Sequence, residues 1–338
     1  MIQSLTSFRF ITAFMVFLFH CKIHLGWNLG ISLLDKFVKN GATFMTGFFV
    51  LSGFIMTHVY QNIDFSKRSN IFYFYLKRFA KIYPTYAVVT MVYFLLFPVG
   101  INPFLRTVVN DLFLVQAFFP TMFGIGYNGG TWSLTVEMFL YLLFPFFIIV
   151  SEKSPKILIF AIILGFITSF NIYIEKEDYI YANPIFRISD FICGMGFYFI
   201  KDKFKNLKHA DKINLLIFIV ILLITSVNKG FQYMRAHFAI VPLFGLWIAL
   251  SFHSKAKFYN NKILEYLGLI SYSFYLWQFV AIRLGKKVLE TSPDINIHLL
   301  VLAAFLVNII CSVLSYHILE ERARLFIIDK YKKKQSVF

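Results

Sequence analysis

Charge is what this sequence has least of. Only 15% of its 338 residues are charged, and 17 acidic residues face 33 lysines and arginines, where soluble globular domains carry about 25% charged residues. That scarcity excludes a water-soluble domain, and the 59% hydrophobic content excludes disordered and fibrous chains. Cysteine is equally sparse. Cys21, Cys193 and Cys311 stand singly in apolar surroundings with no Cys-x-x-Cys spacing, so neither a disulfide framework nor a zinc site is indicated. No long polar tract, internal repeat or low-complexity segment interrupts the chain, and 1–338 reads as a single integral membrane domain with a short basic cytoplasmic tail at about 322–338. A cleavable signal is not expected either, because the run from Phe8 to Phe19 contains Arg9 and is not followed by a small-residue cleavage site.

What is abundant is apolar and aromatic. Mean hydropathy is +0.69, and aromatic residues reach 20%, enough to fill helix interfaces and headgroup belts. Runs near the roughly 20 residues that a membrane helix needs fall at 6–25, 42–60, 82–99, 132–150, 157–174, 184–200, 213–228, 236–252, 263–282 and 298–319. The fold class expected is therefore all-α: a polytopic integral membrane protein with about ten transmembrane helices. The stretch Val108 to Tyr127 is apolar but broken by Gln116, Pro120, Gly124 and Gly126, so it reads as an interfacial or re-entrant loop. On that count the basic residues collect on the side of the N-terminus, which places both termini in the cytoplasm. The net charge of +16 then serves topology and anionic lipid headgroups, and nucleic acid is not an expected partner.

Ionisable residues inside apolar runs are costly unless paired or wet, and each is a candidate for function. Arg9 and His20 share the first helix 11 residues apart, a rise of about 16 Å. His24 follows one turn later at the spacing of a helical two-histidine metal pair, but no acidic or cysteine ligand is near in sequence, and no metal is expected. Arg78 and Lys81 lie three residues apart on one helical face, placed either to grip phosphates or to anchor the helix at the headgroups. Glu137 lies one and a half turns into the fourth span, after Gly129-Gly130-Thr131-Trp132-Ser133. With His20 at a comparable depth, and Arg187 and Asp190 entering the sixth span from the same side, a buried polar layer is expected. Read alone, that layer fits a packing network, a proton relay through a transporter or a catalytic site.

At these residues the chain resembles the acyltransferase family 3 membrane O-acyltransferases, of the carbohydrate O-acetyltransferase type. The resemblance runs along nearly the whole sequence: Arg9-x10-His20; Phe48-Phe49-Val50-Leu51-Ser52-Gly53-Phe54; Arg78-x-x-Lys81 followed by Ile82-Tyr83-Pro84; Trp132-Ser133-Leu134-x-x-Glu137; Arg187 with Gly194; and Gly268-x-x-Ser271-Tyr272-Ser273-x-Tyr275-Leu276. Two positions depart from the pattern. Lys81 stands where the family's basic motif usually has a second arginine, which keeps the charge but loses the planar fork. Gln278 stands where many relatives have a histidine.

The resemblance implies acetyl transfer from cytoplasmic acetyl-CoA, a donor substrate rather than a bound cofactor, to a hydroxyl of a surface glycan or a lipid-linked saccharide. His20 would be the general base, and Glu137 would orient its imidazole. Direct attack and an acyl-histidine intermediate both remain open. Arg9, Arg78 and Lys81 would hold the donor's phosphates, and Trp132, Arg187, Asp190 and Tyr275 would line the acceptor side. Membrane lipids are expected partners, a homo-oligomer is left open, and the expected location is a bacterial inner membrane. Relatives may carry a further hydrolase-like domain. This sequence ends after the tenth expected helix, so transfer is expected to finish in the membrane domain or on a separate partner. A proton-coupled transporter using the same polar layer is the alternative.

Overall fold

The computed structural model describes residues 2–98, 110–119, 129–151, 153–171, 177–227 and 234–335. Among them every regular element is helical. The first helix, α1 (Gln3–Leu25), ends at Gly26, whose φ of 71° lets its N–H bond back to Lys22 O. A short amphipathic helix, α2 (Ser32–Lys39), follows, exposing Leu33 and burying Val38. Ahead of it, the Leu29 N–H and then the Lys22 ammonium hold the Asp35 carboxyl below the usual carboxylate range. Then come α3 (Phe44–Tyr60), α4 (Arg68–Leu96), α5 (Trp132–Val150), α6 (Ile157–Asn171), α7 (Ile188–Ile200), α8 (Ala210–Val227) and α9 (His237–Phe252). The chain closes with α10 (Lys262–Leu269), α11 (Ser271–Thr291), α12 (Ile297–Ser315), a π-helical turn (Tyr316–Glu320) and α13 (Glu321–Gln335).

Among the described residues, six helical stretches are long and apolar enough to cross a bilayer: Gln3–Leu25, Gly41–Tyr60, Arg68–Leu96, Trp132–Val150, Met234–Phe252 and Ile297–Lys332. A seventh joins them if α10 and α11, bent by 69°, form one span, and Ile157–Asn171 is apolar but shorter. These are the helices of a membrane protein. All ten expected segments contain helix, while a count of ten spans goes beyond what length and apolarity select. Of the stretch read as a re-entrant loop, residues 108–109 and 120–127 lie outside the described residues, and the rest includes one 3-10 turn, Gln116–Phe118. The basic segment before the third expected span is not a loop: α4 starts at Arg68 and runs unbroken through Lys77, Arg78, Lys81 and Pro84. Likewise the basic tail is helical as far as Gln335.

A close helix crossing joins α3 to α7. A Cβ on Gly53 would fall 1.9 Å from the Phe191 carbonyl oxygen, and one on Gly194 would fall 1.9 Å from that of Val50. Two glycines facing each other's backbones bring the helices into contact without intervening side chains, the small-residue packing that holds helices together where lipid removes the hydrophobic drive. This crossing braces the back of α3, whose other face carries Phe48 and Ser52 toward the site.

Candidate active site

Helices α1, α3, α4, α5 and the α10–α11 bend line a cavity of about 130 Å3. Arg9 of α1, Arg78 and Lys81 of α4, Glu137 of α5 and Tyr275 of α11 all line it. The structure thus brings together five of the nine residues singled out from the sequence.

At one end the wall is cationic. The Arg78 guanidinium donates to Tyr60 Oη at 2.9 Å and lies 5.6 Å from the centre of the Tyr141 ring. Arg9 and Arg78, with Lys81, are the charged groups facing Glu137. Lys81 is ion-paired with Glu320 and, through it, linked to Ser273, which donates to the same carboxylate at 2.8 Å. Glu137 itself accepts a hydrogen bond from the Tyr141 hydroxyl one turn along α5, and Ser52 donates to that hydroxyl at 3.1 Å. At the other end, Tyr275 Oη donates to Gly130 O at 2.7 Å and accepts from Ser133 Oγ at 2.8 Å. The α11 aromatic is thereby clamped onto the start of α5.

His20 stands apart. Its ring lies 4.4 Å from Phe279 and 5.6 Å from His24, its Nδ1 has no partner among the described residues, and it does not line the cavity. Gly129 and Gly130, which lead into α5, also pack on Phe279, so closely that a Cβ on Gly130 would fall 2.8 Å from the ring. Glu137 lines the cavity whereas His20 does not, so the cavity does not bring the expected pair together. Glu137 lines the same cavity as Arg9, which lies 11 residues, about 16 Å, from His20 along α1.

Three residues expected on the acceptor side lie away from the cavity. Trp132 is buried between Phe49, at 6.2 Å, and Tyr181, at 4.8 Å. Arg187 and Asp190 are fully buried and paired with each other at 3.2 Å. Arg187 also donates to Tyr181 O at 2.8 Å and Thr46 Oγ1 at 3.0 Å, while Asp190 meets His237 Nε2 at 2.7 Å. None of the three lines the cavity. Their burial fits an ion-pair network that locks α3, α7 and α9 together. Only Tyr275, of the four acceptor candidates, reaches open space.

Sequence reading missed Tyr141, Glu320 and His237. Tyr141 was within reach of a spacing argument, being four residues after Glu137 on one helical face. Glu320 sits at the head of a charged run, Glu320-Glu321-Arg322, that resembles any helix end, and nothing local marks it as buried. Gln278, the departure from the family pattern, is fully buried, with neither amide atom partnered among the described residues.

A membrane helix bundle with a cationic pocket lined by a buried carboxylate is an arrangement that a membrane-embedded transferase and a transporter can share. Comparison with known sequences specifies the class. The profile of a family described as an acyltransferase domain matches residues 2–317, and the chain belongs to this family, acyltransferase family 3. It is 27% identical over 329 residues to the peptidoglycan O-acetyltransferase OatA of Listeria monocytogenes serovar 1/2a (strain ATCC BAA-679 / EGD-e), covering 86% of this chain and 52% of that protein. It is 30% identical over 164 residues to the acyltransferase MdmB of Streptomyces mycarofaciens, covering 46% of this chain and 41% of that protein. The chain thus spans about half the length of the first of these relatives and aligns with less of the second. No solved structure matches significantly.

Proposed function

We propose that this protein is a membrane O-acyltransferase that moves acetyl from cytoplasmic acetyl-CoA to a hydroxyl of a surface glycan or lipid-linked saccharide, in a bacterial inner membrane with both termini cytoplasmic and about ten spans. The observation that carries the proposal is one cavity joining a cationic end, Arg9, Arg78 and Lys81, to a polar end, Ser133 and Tyr275, in a chain of this family.

The residues divide the work by position. Arg9 and Arg78, half-buried and facing inward, offer guanidinium groups to the donor's phosphates, and Lys81 adds a point charge beside them. The acetyl thioester would enter the cavity ahead of them. On the acceptor side, the sugar hydroxyl attacks the thioester carbonyl carbon and the carbon–sulfur bond breaks. The hydroxyl proton passes to a base and from it to the departing thiolate, so acetyl ester and free thiol are the products. His20 is the proposed base: a half-buried imidazole with an unpartnered nitrogen beside the polar end. Because Phe279 separates it from the cavity, the Phe279 ring must turn aside, or the acceptor must approach from the His24 side. Glu137 lines the cavity and His20 does not, so Glu137 is not proposed to orient this imidazole. Its proposed role is to balance the Arg9 and Arg78 charges beside the thioester, held by Tyr141.

Incubating purified protein in liposomes with radiolabelled acetyl-CoA tests the reading. Label moving to a saccharide acceptor or to water supports an acyltransferase, and intact donor after prolonged incubation with acceptor would overturn it.

A further inference from the structure

Helix α12 does not pass smoothly into α13. Five residues, Tyr316–Glu320, form a π turn between them, and such insertions shift the helical face by one residue and frequently accompany functional sites. Here the shift separates two adjacent carboxylates. Glu321 faces outward and pairs with Arg324 at 2.7 Å, with about a third of each side chain exposed. Glu320 turns inward, is 1% exposed, and meets Lys81 of α4 and Ser273 of α11. Lys81 lines the cavity with 31% of its side chain exposed, whereas Glu320 and Ser273 do not line it. The carboxylate therefore stands behind the lysine, out of reach of a ligand in the cavity.

A lysine there has four rotatable bonds and is free to snorkel along α4 to water. Holding its ammonium on the cavity wall costs side-chain entropy, and a buried anion behind it offsets that cost. We propose that Glu320 is a positioning residue: through the π turn it fixes the Lys81 ammonium on the cavity wall, where Lys81 meets the anionic part of the donor. Ser273 fixes the carboxylate in turn. The inference rests on the donor-side reading of Lys81 given above.

The test is a double-mutant cycle in purified, monodisperse full-length protein, reading KM for acetyl-CoA, kcat, and equilibrium binding of free coenzyme A. Glu320→Gln keeps the shape and removes the charge. It should raise the donor KM about tenfold, as Lys81→Met does, with kcat changed less than threefold, and Glu320→Asp should restore most of the affinity. The Lys81→Met/Glu320→Gln double variant should be no worse than Lys81→Met alone, because Glu320 acts through Lys81. If Lys81→Met leaves the donor KM unchanged, the donor-side role of Lys81 fails. If Lys81→Met raises it while Glu320→Gln does not, or if the two effects multiply, the positioning role of Glu320 fails by itself. Should Glu320→Gln not purify as a folded protein, Ser273→Ala takes its place, removing only the second hydrogen bond. A smaller rise in donor KM is then expected, and a wild-type value overturns the proposal.

Discussion

The Tyr141 hydroxyl donates to the Glu137 carboxylate one helical turn before it, and the same hydroxyl accepts from Ser52 of the neighbouring α3. An intramembrane carboxylate is thus held by its own helix and braced by another, beside the Arg78 guanidinium. Hydrogen bonds to charged groups contribute about 1.5–3 kcal/mol. We predict that Tyr141→Phe lowers kcat roughly tenfold or more while leaving the gel-filtration profile unchanged. Wild-type kcat in that variant would make Tyr141 a packing residue.

His20→Ala should abolish acetyl transfer and leave the protein folded. The ring is half-buried and its Nδ1 has no partner among the described residues, so little binding is lost with it, whereas removing a general base typically costs about 10²–10⁴-fold. Turnover with labelled donor, compared with thermal stability in detergent, separates the two effects. A well-folded variant retaining activity within a few-fold of wild type removes His20 from the mechanism.

Arg78→Ala is expected to raise KM for the acyl-CoA donor more than for the acceptor, because it removes a guanidinium from the cationic wall of the cavity. Lys81→Ala should show the same defect together with lower stability, since it strands the buried Glu320 carboxylate. Equal changes in both KM values would mark Arg78 as a headgroup anchor.

Arg187→Ala and Asp190→Ala should act on stability. Each leaves a fully buried partner uncompensated, and breaking such a pair costs about 3–5 kcal/mol. The expected outcome is a lower yield of folded protein and a reduced Tm in detergent, with acceptor KM unchanged in whatever folds. A normal Tm with a raised acceptor KM would restore the acceptor-side role for these two residues.

Topology is checked by cysteine labelling. In a cysteine-free background on sealed cells, an impermeant maleimide should modify a single cysteine at position 177 and spare one at position 208. The reverse pattern would invert the sides assigned to donor and acceptor, leaving the family assignment intact.

The sequence by itself determined the membrane class, the helical segments and the family, because hydropathy and motif order are properties of consecutive residues. It also singled out Arg9, Arg78, Lys81, Glu137 and Tyr275, which do converge on one cavity, since charge or a hydroxyl within an apolar run is visible without coordinates. Partnership was decided by the tertiary structure. Sequence spacing puts His20 and Glu137 at one level, whereas in the structure Glu137 lines the cavity and His20 packs on Phe279 outside it. Arg187 and Asp190 look like a pocket lining until His237, remote in sequence, closes over them. Glu320 reads as one charge among many at a helix end until a π turn aims it at Lys81. In each case the deciding quantity is a helix's depth or rotation relative to its neighbours, which is set by packing between distant segments and leaves no mark on the local sequence.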